Sequence, residues 1–549
     1  MNDTPQPIDL LIVGAGFGGL YMLHLARQRG LNALVVEAAG GVGGTWYHNR
    51  YPGARVDIQS LEYSFGFDDA LQQDWCWTER YAAQPELLAY ANHVADRYKL
   101  RDGILLDTRI AAAHWDEAAQ CWQVSSHTSA QDGRRWAARH LVLATGPLST
   151  PNKPDFPGLQ AFKGRVLHTA AWPHEPVDLT GLRVGVIGTG SSGVQVITTI
   201  APQVGQLTVF QRTPTYAVPA HNGPLDKALE ARVKADYPAF RERNRKMMGG
   251  FGSMLPPNAF SAMSVSAEER ERMFEERWQI GGFGLLGTFN DLIVNPAANE
   301  LVGAFVRGKI RSTVHDPATA AALSPTHPIG CKRLCVDTGY YATFNRPNVH
   351  LVDLQQTPID HFTATGLVTG GVEHTLDAIV LATGFDAMTG TVLRLDLRGR
   401  GGVPIQQHWQ AGPLNYLGLC LSGFPNLFTL TGPGATAAFT NVMVAIEHQV
   451  QWIADTIADL DARGLRTLEA TPEAEADWVA HVNAVARRTI YLGCNSWYLG
   501  ANIPGKPRIF MPLFGFPAYV QKCTEVQQQG YAGFRLAPSP APVPAPAPA

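Results

Sequence analysis

The sequence IDLLIVGAGFGG, residues 8–19, decides the fold of this chain. Its apolar first half predicts a buried strand, and the turn after it predicts the start of a helix, YMLHLARQRG. LNALVVEA then returns as a second strand, so the segment is predicted to be a βαβ unit. The spacing Gly14-x-Gly16-x-x-Gly19 permits a tight turn, close approach of a pyrophosphate and helix–strand packing. The helix N-terminus would offer unpaired N–H groups to the phosphates.

An acidic residue makes this first turn more specific than its glycines alone. Glu37 ends the second strand, 18 residues after Gly19. A carboxylate at this place in a βαβ unit binds ribose hydroxyls, which suits FAD or NAD.

A second βαβ unit follows at LRVGVIGTGSSG and returns as QLTVFQR, with the spacing Gly188-x-Gly190-x-x-Gly193. Arg212 stands 19 residues after the last glycine, where the first unit has its acid, and Thr213 is next to it. An arginine attracts a 2′-phosphate and can bind it with two hydrogen bonds, so this half predicts NADPH. The alternative is a surface arginine after a strand. Two such sites predict a flavoprotein with FAD first and NADPH second, between which electrons pass.

The predicted fold class is α/β, with two Rossmann-like dinucleotide-binding domains and a mostly helical insertion. Two further strands end in ATG, at Gly146 and Gly384, and helical patterns fill the region between the second unit and the later ATG. The expected division is an FAD-binding domain of residues 1–150 and 386–536, an NADP-binding domain of residues 151–224 and 323–385, a helical insertion of residues 225–322, and a disordered Pro/Ala tail of residues 537–549.

Composition excludes several other functions. The net charge is −3, so neither nucleic acid nor an anionic membrane is an expected partner. The 7 cysteines show no CxxC pair and no zinc-site spacing, so we expect no metal and no disulfide framework. The start of the chain lacks a signal-peptide pattern, and no uncharged apolar run of about 18 residues occurs. A cytoplasmic location is therefore expected.

A segment between the two units carries a longer pattern, FKGRVLHTAAWP. It fits Phe-x-Gly-x-x-x-His-x-x-x-Trp-Pro, the fingerprint of the type I Baeyer–Villiger monooxygenases, and the chain resembles that family from about Asp9 to Arg535. The matching positions are Phe162, Gly164, His168, Trp172 and Pro173.

The resemblance implies an activity. In this family NADPH reduces FAD, O2 forms a C4a-peroxyflavin, and this species attacks a ketone carbonyl to give an ester or a lactone and water. Sulfoxidation is implied as a side activity. An active-site arginine stabilises the developing negative charge; it matches Arg333, and its acidic partner matches Asp57. From the residues alone, Arg333 would be an ordinary surface arginine.

Further site residues follow from the same resemblance. The implied FAD contacts are Gly14, Gly16, Phe17, Gly18, Gly19, Glu37, Gly44, Thr45, Trp46, Asp57, Tyr63, Ile110 and Val442. The implied NADP contacts are Arg55, Gly188, Thr189, Gly190, Ser191, Ser192, Gly193, Arg212, Thr213, Lys332, Arg333 and Trp497. Without the resemblance, the loop from Gly43 to Asp57 fits a well-packed loop as well as a cofactor contact, and Trp497 fits a core residue.

His168 has a side chain suited to acid–base catalysis. The resemblance instead places it at the junction of the two dinucleotide-binding domains, where it implies a hinge. The implied pocket residues are Leu148, Ala437, Ala438 and Phe439, although Phe439 could also point into the core.

Two other readings remain open. One is a flavin monooxygenase that oxidises nitrogen or sulfur, or an NADPH oxidase; the Trp172-Pro173 ending and Arg333 argue against it. The other is a nucleotide-binding module without activity. The expected partners are a small ketone and O2, and the expected state is a monomer or a weak oligomer.

Overall fold

Two mainly parallel β-sheets each carry one of the glycine-rich turns. The computed structural model describes residues 4–127, 133–436, 439–507 and 515–538. In chain order the strands are β1 (Gln6–Val13), β2 (Ala33–Val36), β3 (Ile104–Leu105), β4 (Arg109–Asp116), β5 (Cys121–His127), β6 (Arg135–Leu143), β7 (Arg165–His168), β8 (Arg183–Ile187), β9 (Gln206–Gln211), β10 (Ala217–Pro219), β11 (Cys335–Asp337), β12 (Val349–Asp353), β13 (Ile359–Phe362), β14 (Gly366–Thr369), β15 (Val372–Thr375), β16 (Ala378–Leu381), β17 (Asp396–Arg398), β18 (Leu427–Thr429), β19 (Leu465–Ala470) and β20 (Phe534–Pro538).

The helices lie between these strands. They are α1 (Phe17–Gln28), α2 (Thr45–His48), α3 (Asp69–Asp74), α4 (Gln84–Arg97), α5 (Ser191–Ile200), α6 (Lys227–Ala235), α7 (Tyr237–Arg245), α8 (Ala267–Ile280), α9 (Pro296–Thr313), α10 (Pro317–Ala322), α11 (Tyr340–Thr343), α12 (Ile405–His408), α13 (Val442–Ala462), α14 (Pro472–Ala486) and α15 (Phe516–Gln528). Short 3₁₀ turns span Arg101–Gly103, Leu159–Ala161, Thr169–Ala171, Ala262–Ser264, Gly282–Gly287, Val392–Arg394, Arg400–Gly402, Ile490–Gly493 and Trp497–Leu499.

The first sheet combines strands from distant parts of the chain. Its order is β17-β4-β5-β6-β1-β2-β3, and β18 also pairs with β6. β1 is parallel to both of its neighbours, with Leu11 opposite Leu34 on one side and Leu141 on the other. Leu11 is fully buried because helices or loops cover both faces of the sheet at this point, which explains the continuous apolar run in the sequence.

The second sheet has the order β12-β9-β8-β16-β7, and all of its pairs are parallel. The chain enters it after β6 and leaves it after β16, before β17 returns to the first sheet. The prediction of two Rossmann-type sheets is therefore confirmed.

A helical region with its own core separates β10 from β11. Helices α6 to α10 form it, and β10 and β11 close it as a two-stranded parallel sheet. The ring of Phe274 packs on Phe289 at 5.4 Å and on Phe305 at 5.5 Å, measured between centroids. Tyr81, from the part of the chain before β3, joins the same hydrophobic cluster. The insertion is thus anchored to the N-terminal part of the chain.

The end of the described chain differs from expectation. Ala537 and Pro538, which composition assigned to the disordered tail, are the last residues of β20, opposite Thr467 and Leu465 of β19. Proline is tolerated at a strand end because it lacks only the backbone N–H donor. Residues 539–549 lie outside the described part of the chain. Among residues that the structure describes, no helix is both long enough and apolar enough to span a membrane.

One disulfide bond corrects the expectation drawn from cysteine spacing. Cys331 and Cys494 are bonded, with their Cα atoms 6.3 Å apart and a separation of 163 residues in sequence. Spacing along the chain could not indicate this pair, because the fold brings the two segments together. The other five cysteines are free thiols.

Candidate active site

The first glycine-rich turn joins β1 to α1 in the geometry that a dinucleotide requires. Gly14 has a φ of 109°, and a Cβ built there would lie 2.6 Å from the carbonyl oxygen of Ala144. Gly16 is the N-cap of α1 and provides no side-chain cap. The first N–H groups of the helix therefore remain available to phosphate oxygens.

Glu37 lies beside this turn. One carboxylate oxygen accepts the N–H of Ala15 at 2.7 Å, and the other accepts the N–H of Ala39 at 2.8 Å. A carboxylate oxygen can accept a second hydrogen bond, so both are compatible with ribose hydroxyls. The backbone bonds hold the acid in place, which fits the predicted role.

A second glycine loop packs against the first. Gly43 donates its N–H to the carbonyl oxygen of Ala15 at 2.9 Å, and Gly44 has a φ of 53°. A Cβ on Gly44 would lie 2.9 Å from the Cα of Gly16. Two backbones thus approach each other at the point where a pyrophosphate is expected, and glycine is required on both sides.

The aromatic residues predicted to contact FAD assemble next to these loops. The indole N–H of Trp46 donates to the hydroxyl of Tyr63 at 3.2 Å, and the ring of Phe17 meets Tyr63 edge-on at 6.3 Å. Val442, the first residue of α13, packs on the cluster that contains them. Ile110 is buried at the start of β4, in a different cluster that lies against β1 and β6.

The second glycine-rich turn repeats the geometry on the second sheet. Gly188 has a φ of 107°, and a Cβ built on Gly190, the N-cap of α5, would meet no atom within 4 Å. The N-terminus of α5 therefore faces open space. Thr189 donates its hydroxyl to the carbonyl oxygen of Thr213 at 2.9 Å, which ties the turn to the end of β9. Ser191 and Ser192 occupy the first turn of α5. These residues fit a second dinucleotide.

Two cations gather near that turn. Arg212 is exposed directly after β9, and Lys332 is half-buried. Burial and the nearby charge of Arg212 lower the pKa of Lys332. Two cations held close together form a favourable site for a doubly charged group such as a 2′-phosphate.

Arg333 and Asp57 form the central ion pair. Arg333 donates from Nε to Oδ2 at 2.5 Å and from Nη2 to Oδ1 at 2.7 Å. Burial opposes the charge of Arg333, but the charge and hydrogen bonds of Asp57 outweigh it and raise the pKa above its usual range. The guanidinium also lies 5.0 Å from the ring centroid of Phe283 and is hydrogen-bonded to Tyr498. It is a permanent cation with a fixed orientation.

An aromatic wall stands beside this pair. Phe439 packs against Tyr491 at 4.6 Å and Tyr498 at 4.5 Å, and Trp497 contacts Tyr498 at 4.4 Å. Leu148 belongs to the same cluster. The structure therefore directs Phe439 towards the surroundings of Arg333, whereas Ala437 and Ala438 lie outside the described residues.

Sequence reasoning did not identify three residues of this cluster: Phe283, Tyr491 and Tyr498. Tyr498 follows Trp497 directly, so the implied NADP contact at Trp497 could have drawn attention to Tyr498. Phe283 lies in the glycine-rich stretch GGFGLLG, and nothing in that local sequence signals its position against Arg333.

Arg55 is half-buried and forms an ion pair with Glu79. Its Nη1 donates to Glu79 Oε2 at 2.6 Å and to the carbonyl oxygen of Tyr81 at 3.0 Å. Gln195 of α5 donates to the carbonyl oxygen of Arg55 at 3.1 Å. Arg55 thus lies where the N-terminal loop meets the second glycine-turn helix.

The fingerprint segment lies at the two crossings between the sheets. His168 Nδ1 accepts the N–H of Ala170 at 3.0 Å, so Nε2 carries the proton. Nε2 lies 3.1 Å from the carbonyl oxygen of Asn152 and 3.2 Å from the hydroxyl of Thr383. Burial lowers the pKa of His168 and keeps the ring neutral. Asn152 and Thr383 belong to the segments that enter and leave the second sheet.

The other fingerprint residues shape that junction. Phe162 and Trp172 are buried in two different hydrophobic clusters of the second sheet. A Cβ on Gly164 would lie 2.5 Å from the carbonyl oxygen of Asp377, so only glycine allows this close approach. Pro173 follows Trp172 and precedes the exposed loop that leads to β8.

Comparison with known proteins agrees with this arrangement. A family model described as pyridine nucleotide-disulphide oxidoreductase matches residues 8–237. A protein of Pseudooceanicola batsensis described as a Baeyer-Villiger monooxygenase is 43% identical over 528 residues, which cover 95% of each chain. A phenazine N-monooxygenase of Lysobacter antibioticus is 42% identical over 542 residues, which cover 97% of this chain and 98% of that protein. The solved structure of an oxidized steroid monooxygenase bound to NADP matches with a TM-score of 0.92 at 49% identity, over 97% of this chain and 100% of that one.

Proposed function

The chain belongs to the Baeyer–Villiger monooxygenases, and we propose that it uses NADPH, FAD and O2 to insert one oxygen atom into a ketone. The products are an ester or a lactone and water. The observation that carries this proposal is the two-point pair between Arg333 and Asp57 beside the aromatic wall. When bound, FAD reduced by NADPH would activate O2, of which one oxygen atom is inserted next to the carbonyl carbon and the other leaves as water.

Arg333 is the proposed catalytic residue. Addition to a ketone carbonyl places negative charge on the carbonyl oxygen, and a preorganised cation stabilises it. A guanidinium has five N–H donors, and a single carboxylate does not use all of them. Arg333 can therefore bind Asp57 and an oxyanion at the same time. Asp57 fixes the orientation of the guanidinium through its two oxygens. The surrounding rings leave the side chains of Arg333 and Asp57 only 25% and 21% exposed, and the reduced contact with water strengthens the interaction.

We assign the cofactors to the two turns. FAD would lie on the α1 N-terminus, with its ribose on Glu37 and its ring system near Trp46 and Tyr63. NADPH would lie on the α5 N-terminus, with its 2′-phosphate on Arg212 and Lys332. The open space at Gly190 and the close backbones at Gly44 support these positions.

We also propose the domain division and the role of His168. Residues 1–150 and 386–536 would form the FAD-binding domain, with β20 extending it to Pro538, residues 151–224 and 323–385 the NADP-binding domain, and residues 225–322 the insertion. His168, which reaches both crossing segments, would couple the two domains without transferring a proton. A cytoplasmic monomer or weak oligomer completes the proposal.

Oxidation of nitrogen is the second candidate, because a relative with 42% identity is a phenazine N-monooxygenase. The experiment that separates the two is turnover of aryl-alkyl, cyclic, linear and steroid-like ketones, a sulfide and an aromatic nitrogen heterocycle with NADPH and ¹⁸O2. Mass spectrometry of the products decides between them. Labelled ester or lactone supports the proposal, whereas labelled N-oxide without any ester would overturn it.

A further inference from the structure

The disulfide bond connects the two segments that surround the proposed catalytic cation. Cys331 directly precedes Lys332 and Arg333, and Cys494 lies three residues before Trp497. The two cysteines are 163 residues apart in sequence. The bond therefore joins the loop that carries Arg333 to the segment that carries the aromatic wall.

The two segments touch on both sides of the bond. A Cβ on Gly493 would lie 2.9 Å from the ring of Pro328, and a Cβ on Gly330 would lie 3.8 Å from the side chain of Ile490. The N–H of Ile490 donates to the carbonyl oxygen of Ile293 at 3.0 Å. The segments that carry the two sulfur atoms thus also pack against each other, and Cys494 is the more exposed of the two cysteines.

The segment beyond Cys494 has a second anchor on its far side. Asn502 donates to the carbonyl oxygen of Phe385 at 2.7 Å, and Lys506 donates to Asp386 at 2.6 Å. Trp497 and Tyr498 lie between this anchor and the disulfide. The position of Tyr498 against Arg333, and of Trp497 against Tyr498, thus depends on a covalent bond at one end and hydrogen bonds at the other.

We propose that Cys331 and Cys494 form a redox modification site, which hydrogen peroxide closes and small thiols reopen, and that the closed bond fixes Trp497 and Tyr498 against Arg333. A free thiol pair is the state expected in a reducing compartment, so closure requires an oxidant. The source of peroxide rests on the proposed function: a reduced flavin that meets O2 without a ketone yields hydrogen peroxide instead of an oxygenated product.

The chemistry of closure balances with peroxide alone. The thiolate of Cys494 attacks one peroxide oxygen, the O–O bond breaks, and a sulfenic acid and water form after protonation. The sulfur of Cys331 then displaces the hydroxyl, which leaves as a second water. Two thiols and one peroxide give one disulfide and two waters. Reopening consumes two equivalents of a small thiol, which leave as one small disulfide, and returns both cysteines to thiols.

Closure should change binding more than the chemical step, because Arg333 keeps its pair with Asp57 in both states. In the open state the side chains of the wall must be ordered when NADPH and ketone bind. This ordering weakens binding in the open state by about tenfold. We therefore expect the KM values for NADPH and for the ketone to be higher by that factor in the open state, while kcat changes little.

The test uses full-length holoenzyme in two states, reduced with a phosphine or treated with stoichiometric hydrogen peroxide. Alkylation of free thiols followed by peptide mass spectrometry measures the bond, and limited proteolysis measures the freedom of residues 487–507. KM and kcat for NADPH and for a ketone are measured on the same samples. We expect a Cys331–Cys494 peptide pair, slower cleavage and lower KM only after peroxide.

Variants separate the bond from general oxidation. Cys494→Ser should behave like the reduced enzyme whether or not peroxide is added. Cys76→Ser, which removes an exposed thiol elsewhere, should respond to peroxide as the wild type does. If Cys494→Ser does not fold, the comparison of reduced and oxidised wild type still decides.

Two results would overturn the inference: both thiols still alkylated after peroxide, or equal proteolysis and KM values in the two states. The thiol and proteolysis measurements need no ketone turnover. If the Cys331–Cys494 bond forms and protects residues 487–507, but the enzyme makes no ester, the result counts against the proposed function and not against the redox site.

Discussion

The carboxylate of Asp57 holds the guanidinium of Arg333 through two hydrogen bonds, of 2.5 Å and 2.7 Å, across 276 residues of sequence. Such a pair fixes both the charge and the direction of the guanidinium. Removing the cation should therefore affect oxygen insertion more than cofactor binding.

For Arg333→Ala we expect NADPH to reduce the flavin, while ester formation falls by about 10²-fold or more, as when one preorganised donor is removed. Arg333→Lys is the matched variant, because it keeps the charge but loses the two-point geometry. Stopped-flow absorbance measures flavin reduction, and mass spectrometry measures the ester. Ester at the wild-type rate in Arg333→Ala would refute the assignment.

His168→Ala should slow turnover with NADPH by about tenfold while FAD remains bound, because it removes the imidazole that contacts both Asn152 and Thr383 and leaves only their direct hydrogen bond. His168→Gln, which can still donate a hydrogen bond, should recover part of the rate. His315→Ala, at an exposed histidine, serves as the control. Unchanged rates of flavin reduction and of ketone turnover in His168→Ala would exclude a coupling role.

Arg212→Ala should raise the KM for NADPH by about 10- to 100-fold, the cost of losing a hydrogen bond to a charged group, and leave the KM for NADH nearly unchanged. Lys332→Ala should act in the same direction. Arg311→Ala, an exposed arginine of α9, provides the control. If the KM values for NADPH and for NADH rise by the same factor, Arg212 does not contact the 2′-phosphate.

Phe439→Ala should open the wall formed with Tyr491 and Tyr498. We expect kcat/KM to rise for bulky ketones relative to small ones by about tenfold, since pocket volume discriminates by such factors. Competition between a steroid-like and a cyclic ketone, with product masses as readout, measures the ratio. Phe260→Ala, at an exposed ring of the insertion, controls for loss of an aromatic side chain. A ratio that moves equally in both variants would place Phe439 outside the pocket.

Glu62 predicts a pH dependence of stability. Burial raises its pKa from 4.5 to about 7, against the opposing N–H of Gly252, which donates to it at 2.7 Å. The native state thus binds more protons than the unfolded state between these values, so the free energy of unfolding falls as pH rises through that window, by at most about 3 kcal/mol.

In Glu62→Gln the part of this loss that Glu62 contributes should disappear, because the amide oxygen still accepts from Gly252 without ionising. Urea unfolding at pH 5 and pH 8 measures the difference. Glu271→Gln, at an exposed carboxylate of α8, should retain the wild-type pH dependence. If the free energy of unfolding falls equally between pH 5 and pH 8 in Glu62→Gln and Glu271→Gln, the pH dependence comes from groups other than Glu62.

Local patterns predicted the two glycine turns, Glu37 and Arg212, because a strand, a turn and a helix are set by residues close in sequence. The resemblance to a family predicted Arg333 and Asp57 as partners, which no local pattern indicates. Composition failed at Ala537 and Pro538: a Pro/Ala run suggested a tail, whereas pairing with β19 makes them a strand.

Residue spacing along the chain was thus sufficient to predict the two βαβ units and to propose a dinucleotide for each, since both depend on neighbours within about 30 residues. The surroundings of Arg333 required the folded chain. Phe283 comes from the insertion, Asp57 from the first glycine loop, and Tyr498 and Cys494 from a late segment. A buried guanidinium needs partners on several sides, and only long-range packing brings such distant groups to one place.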